Sequence, residues 1–147
     1  MISKRKLRER SGRGLSLCIA VLLLLASAAI SINSATAAQH FSVREYDHFH
    51  DVLHPLEHEA LPSKDFARIR LNAAELVKRG KSIVRVGVPK GTAEKYAEDF
   101  RKEMKKFKSA LDRFKKHSRS GTDAQLETSF SEVHDSFEML VGMLPRK

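Results

Sequence analysis

The chain has 147 residues, of which 31% are charged and 41% hydrophobic, with a formal charge of +9 and a single cysteine. That length accommodates one domain. One cysteine excludes an internal disulfide, a C-x-x-C redox or haem-attachment motif, and any thiolate-rich metal site.

The charge is unevenly spread. Lys4, Arg5, Lys6, Arg8, Arg10 and Arg13 precede an apolar run from Leu15 to about Ile32, the basic n-region and apolar h-region of a secretory signal. Ala35-Thr36-Ala37 offers a small-x-small cleavage site, and a cut after Ala38 is nearly as good. The sequence thus predicts a signal peptide over 1–38 and a mature domain over 39–147, periplasmic or secreted, with no stable membrane anchor after cleavage. A retained spanning helix is the alternative, because the run approaches the roughly 18 apolar residues that one needs. Cys18 follows Leu17 at the start of the run, the wrong place for lipid attachment, and it leaves with the leader. The six basic residues set against Glu9 carry +5 of the +9, so the mature domain keeps about +4. Export and the lack of an aromatic-interleaved basic motif argue against a nucleic-acid partner.

The mature domain opens on a histidine-rich stretch, His48 to His58, which reads HFHDVLHPLEH and holds four of the seven histidines. As a helix it gathers Tyr46, Phe49, Val52, Leu53, Leu56 and Ala60 on one side, the stripe of a helix laid against a core. His50, His54 and His58 follow at i, i+4 and i+8, so their rings stack along one edge of that stripe, with Glu57 nearer the core and His48 facing away. Imidazoles one turn apart can share a metal ion. Pro55 cannot donate to the carbonyl of Asp51 and biases His54 away from helical dihedrals. The helix is expected either to kink there or to restart with Pro55 as its first residue. In the second case only His54 and His58 keep their pairing.

Leu61-Pro62-Ser63 breaks the pattern, and Ser63 is the expected N-cap of a second helix with Asp65 in its first turn. Phe66, Ile69, Ala73, Leu76, Val77, Gly80, Ile83 and Val84 recur at helical spacing, and Val86-Gly87-Val88-Pro89 reads as its end. A short strand over Ile83 to Val88 is the competing reading, with no second strand to pair with it. After Gly91-Thr92, the third helix spaces Tyr96, Phe100, Met104, Phe107, Leu111 and Phe114 at 4-3-4-3 intervals to about Ser118. Its other faces are heavily basic, which reads as a solvated surface or as a contact for anionic lipid or polysaccharide. Thr122-Asp123-Ala124-Gln125 is a capping box for the fourth helix, whose stripe is Leu126, Phe130, Val133, Phe137, Leu140 and Leu144. Four stripes and short connections predict an all-α protein, an antiparallel up-down-up-down four-helix bundle.

In that topology the first and fourth helices are neighbours. Counted at 1.5 Å per residue from the end where the fourth helix starts, His134 lies roughly 18 Å down, His50 roughly 16 Å and His54 roughly 10 Å. His134 can then complete a site with His50 or His54. Asp135 and Glu138 are within reach as ligands or as carboxylates that fix an imidazole tautomer. Sharper motifs fail. His54-Pro55-Leu56-Glu57-His58 fits H-x-x-E-H, but that zinc peptidase pattern needs a much larger fold and a distant third ligand. A di-iron bundle needs inward carboxylates from all four helices, and the second and third offer none in this reading. Ser131, His134 and Asp135 on one helix diverge too far for a nucleophilic triad.

The single exported bundle with a candidate ligand on its first helix and His134 on its last resembles the superfamily of cytochrome c-prime and the periplasmic b-type bundle cytochromes. The c-type members carry C-x-x-C-H on the last helix. Here Ser129-Phe130-Ser131-Glu132-Val133-His134 has no cysteine, which excludes covalent haem. The resemblance to b-type members implies haem b held by His134 and a first-helix ligand. With no methionine on that helix, His50 or His54 would replace it. The reading that follows from the residues themselves is a non-enzymatic protein that binds Cu or Zn through His54 and His58, with His50, Glu57 or His134, for sequestration, delivery or sensing. A haem b electron carrier using His134 and His50, and a cofactor-free module whose histidine edge meets a protein partner, are the alternatives.

Overall fold

A computed structural model describes residues 40–146; the signal peptide and cleavage site expected from the sequence lie outside the described residues. Among the described residues there are four α-helices, α1 (Arg44–Pro55), α2 (Phe66–Val86), α3 (Glu94–Ser120) and α4 (Asp123–Val141), and no strand. None of these helices is long and apolar enough to cross a membrane.

The helix starts differ in how the backbone N–H groups are satisfied. α4 has the expected capping box, with Thr122 and Gln125 bonding each other's backbone N–H at 3.2 and 2.9 Å. α2 corrects the expected cap. Asp65, not Ser63, accepts from the Arg68 N–H at 2.9 Å, while the Ser63 hydroxyl donates to the Glu59 and Ala60 carbonyls. The hydroxyl sits closest to the Glu59 carbonyl, at 2.6 Å, at the end of the preceding element, while the Ala60 carbonyl also accepts the Asp65 N–H at 2.8 Å. α2 stays helical through the β-branched Ile83 to Val86 and stops at Gly87, whose φ of +65° is a conformation that favours glycine.

Pro55 does not restart the helix. α1 runs through it and widens at once into a π turn, Leu56–Ala60, in which the Leu61 N–H reaches the Leu56 carbonyl five residues back at 2.9 Å. The missing proline N–H leaves the Asp51 carbonyl without its helical donor, and widening the next turn accommodates that break while Leu56 and Ala60 both stay buried.

The helices pack in sequence, α1 on α2, α2 on α3 and α3 on α4, as in an up-down bundle. Side-chain contacts give the alternating directions. The start of α2 meets the end of α3 through Arg70, which donates to the His117, Ser118 and Gly121 carbonyls at 2.9 to 3.1 Å. Arg113 of α3 pairs with Glu132 of α4 at 2.7 Å. Phe137, late in α4, packs on Tyr46 and Phe49 of α1 and on Phe41 just before it, with ring centroids 5.8, 4.9 and 5.8 Å away. Gly80 lets α2 approach closely, since a Cβ there would fall 2.6 Å from a Leu111 methyl and 3.2 Å from the Phe49 ring.

The core is largely the expected stripes, with two corrections on α3. Tyr96 is 40% exposed, in the first turn of α3, with the Lys95 ammonium 4.7 Å from its ring centre. Glu103 is 6% exposed and turns inward beside Met104, which packs partly buried against the core as expected, and Lys106 neutralises the acid at 2.9 Å one turn on. The third helix therefore does present an inward acid. A single such acid, paired within its own helix, still falls short of a four-carboxylate site.

Candidate metal centre

The site is built where α1, its π turn and α4 meet. His50 and His54 come from α1, Glu57 and His58 from the π turn, and His134 and Glu138 from α4. With Leu53 as floor, they line one pocket of about 320 Å³. Every residue predicted to ligate a metal is in this lining. Of the two acids expected near His134, Glu138 belongs to it; the Asp135 side chain is 79% exposed and touches only the rim, its carboxylate 3.4 Å from His134 Nδ1. That contact leaves Nε2 as the unengaged nitrogen of His134.

The rings of α1 and the π turn form a short stack. His50 and His54 have centroids 5.0 Å apart, and His54 and His58 4.3 Å apart, tilted by 55° and 48°. The π turn leaves this stack intact, since His54 and His58 straddle its start and both project from the same edge. The stack is anchored at its inner end, where the His50 ring lies against Phe41 at 5.5 Å and Phe137 at 6.2 Å. Phe41 was not foreseen in this role. It reaches the ring because its own N–H donates to the Asp47 carboxylate at 2.6 Å, folding the segment before α1 back onto the helix. Among the described residues, no three His, Cys, Asp or Glu side chains converge as they stand on a point that would hold a metal ion. The stacked rings face one another rather than one centre.

Two groups here are electrostatically unsettled. Oε2 of Glu57 is buried without a hydrogen-bond partner, an arrangement that costs free energy unless a proton or cation comes to it. His50 is held below its ordinary pKa of 6.5, chiefly because burial disfavours the imidazolium and then because His54 lies alongside; Glu138 and Asp51 oppose the shift. Its folded-state pKa lies below its unfolded one. The unfolded chain therefore takes up the proton first as pH falls, and metal-free protein is expected to lose stability as pH drops from about 7 through the histidine range. The loss levels off below the folded-state pKa. Thermal melts at close pH intervals, with a His50→Gln control that removes the upper step, check this.

The interior between α1 and α4 at the level of His50 is filled by Phe137 against Tyr46, Phe49 and His50, and the space in front of His50 and His134 is the 320 Å³ pocket. The fold defines an all-α four-helix protein of sequentially packed helices. No known protein family matches the chain, and no curated protein or solved structure matches it either. Of the resemblance to the bundle cytochromes, the structure shows the four-helix all-α architecture.

Proposed function

We propose that this chain is an exported, non-enzymatic bundle that binds a transition-metal ion, Cu or Zn, through His54 and His58 with help from His50, Glu57 and His134, for sequestration, delivery or sensing. The observation that carries the reading is the partnerless buried oxygen of Glu57 in a pocket lined by four imidazoles from three elements. Neutral imidazoles and a carboxylate are the donor set that Zn and Cu(II) take, with Cu(II) bound more tightly in a given site. A cation there would satisfy Oε2 and hold apart rings that otherwise lie against one another. Binding is then a rearrangement of side chains on a fixed backbone, because the ring edges must swing to aim their nitrogens at one ion. The same lining offers no nucleophile with an adjacent base, which favours a carrier over a catalyst.

The test is thermal melting of the full chain with and without Cu(II) or Zn(II), on wild type and His54→Ala/His58→Ala. An ion at a hundred times its Kd is expected to contribute about 2.7 kcal/mol, which raises Tm by about 10–20 °C in a domain of this size. The double variant is expected to lose that rise. A flat Tm in wild type together with a Soret band on haem addition would favour the electron-carrier reading. A flat Tm and no Soret band would leave a surface for a protein partner.

A further inference from the structure

A second concavity lies on the other side of the bundle, between α2 and α3. It encloses about 410 Å³, its floor is made of Ala73, Ala74 and Val77, and no carboxylate lines it. Its walls are cationic. Arg70 and Lys78 are already engaged, Arg70 by Asp123 at 2.9 Å and Lys78 by Glu75 at 3.3 Å. Lys81, Arg85, Lys115 and Arg119, from the same lining, have no carboxylate partner among the described residues; Arg85 reaches only the Ser82 hydroxyl at 2.7 Å. Elsewhere on the surface, basic residues of α3 such as Lys102 and Lys108 do find acids one turn away. Arg101, Lys105 and Lys116 of α3 are also without an ion pair among the described residues, but they do not line this groove; what sets Lys81, Arg85, Lys115 and Arg119 apart is that all four border one concavity with no carboxylate in its lining.

The arrangement also has the form of a seat. Lys81 and Arg85 stand one turn apart on α2, and Lys115 and Arg119 one turn apart on α3, each pair separated by ~6 Å along its helix. The two helices run antiparallel and are tied together at one end by Arg70 across the last carbonyls of α3, so the spacing between the pairs is fixed. The small floor residues keep the trough open, and the long aliphatic stems of Lys and Arg give its walls apolar flanks below charged tips. Leu71, 83% exposed, shares its helix face with Ala74 and Lys78. Like charges gathered around one groove without a carboxylate repel one another when it is empty, and a multiply charged anion reverses the sign of that energy.

We propose that the α2–α3 groove binds a multiply charged, phosphate-bearing anion. Such a group comes either as a free phosphate compound or as a phospholipid headgroup, and exposed Leu71, on the α2 face that carries Lys78, would suit the second by entering the headgroup layer.

The test compares two triple variants of the full chain with equal charge change, so that the basic N-terminal cluster acts on both alike. One is Lys81→Gln/Arg85→Gln/Lys115→Gln in the groove. The other is Arg101→Gln/Lys105→Gln/Lys116→Gln on other faces of α3. Binding is measured calorimetrically with inorganic tripolyphosphate and by co-sedimentation with phosphatidylglycerol–phosphatidylcholine vesicles, at two salt concentrations, and folding by thermal melts. The groove variant is expected to lose tenfold or more in affinity and to show a shallower salt dependence, with Tm equal to wild type or higher at low salt. The other variant is expected to stay near wild type in binding. Loss in the tripolyphosphate arm identifies a free anion, and loss confined to vesicles identifies a headgroup. Equal losses in the two variants, or no binding in either arm, would overturn the proposal.

Discussion

Replacing Phe137 by alanine is expected to destabilise the protein by about 3–5 kcal/mol, a fall in Tm of roughly 15–30 °C. Phe137 is fully buried and its ring meets Phe41, Tyr46, Phe49 and His50. It is the point at which the last helix closes onto the first. Truncation leaves a void between two helices that the short α4–α1 contact cannot collapse without moving α1. Because His50 rests on the same ring, the variant should also loosen the inner end of the histidine stack, so its remaining folded fraction should bind metal more weakly than wild type. Phe137→Leu, which keeps most of the volume, should recover much of the stability. Chemical denaturation of the two variants, followed by circular dichroism, checks the ordering.

Glu57→Gln is expected to act in opposite directions on the metal-free and metal-bound protein. Oε2 of Glu57 is buried and without a partner, so removing its charge at constant shape relieves an uncompensated buried group. The metal-free Tm should hold or rise. The same change removes an anionic donor from the pocket, and the affinity for Zn or Cu should fall about tenfold to a hundredfold, or roughly 1.4–2.8 kcal/mol. A residue serving only the packing of the π turn would not separate the two effects. Paired melts and metal titrations of the one variant therefore distinguish a ligand from a structural acid. Equal metal affinity in variant and wild type would take Glu57 out of the site.

Much of the fold could be read from apolar spacing, because each helix buries a single stripe and the connections carry strong stop signals. Gly87 before Pro89 and the Thr122–Gln125 box are local chemistry, and both appear where their residues predict them. What the sequence left open depends on hydrogen bonds whose acceptors are set elsewhere. The π turn after Pro55 is one case, since a missing N–H says where a helix is weakened and not whether it bends, stops or widens. The choice of Asp65 over Ser63 as cap follows from that turn, to whose last carbonyls the Ser63 hydroxyl donates. Glu103 was hidden by its neighbour. Positions 103 and 104 are equally spaced between Phe100 and Phe107, and Lys106 one turn on makes the charged residue tolerable inside.

The candidate site was legible in part for a similar reason. Spacing at i, i+4 and i+8 places His50, His54 and His58 on one edge, and rise per residue brings His134 to their level. Neither gives ring orientation, and the stack with its 4.3 Å and 5.0 Å separations is a matter of packing. Nor does spacing along a helix say that Phe41 would fold back upon His50. The α2–α3 groove was legible only as a basic third helix. Half of its unpaired cations come from α2, and only the packed structure brings them into one lining with Lys115 and Arg119.

The most direct test of metal binding is the metal content of the full chain isolated without an affinity tag, measured alongside His54→Ala/His58→Ala. Cu or Zn near one ion per chain is expected in wild type and little in the double variant. Metal-free protein that takes up neither ion on addition, or equal metal in both forms, would contradict the proposed site.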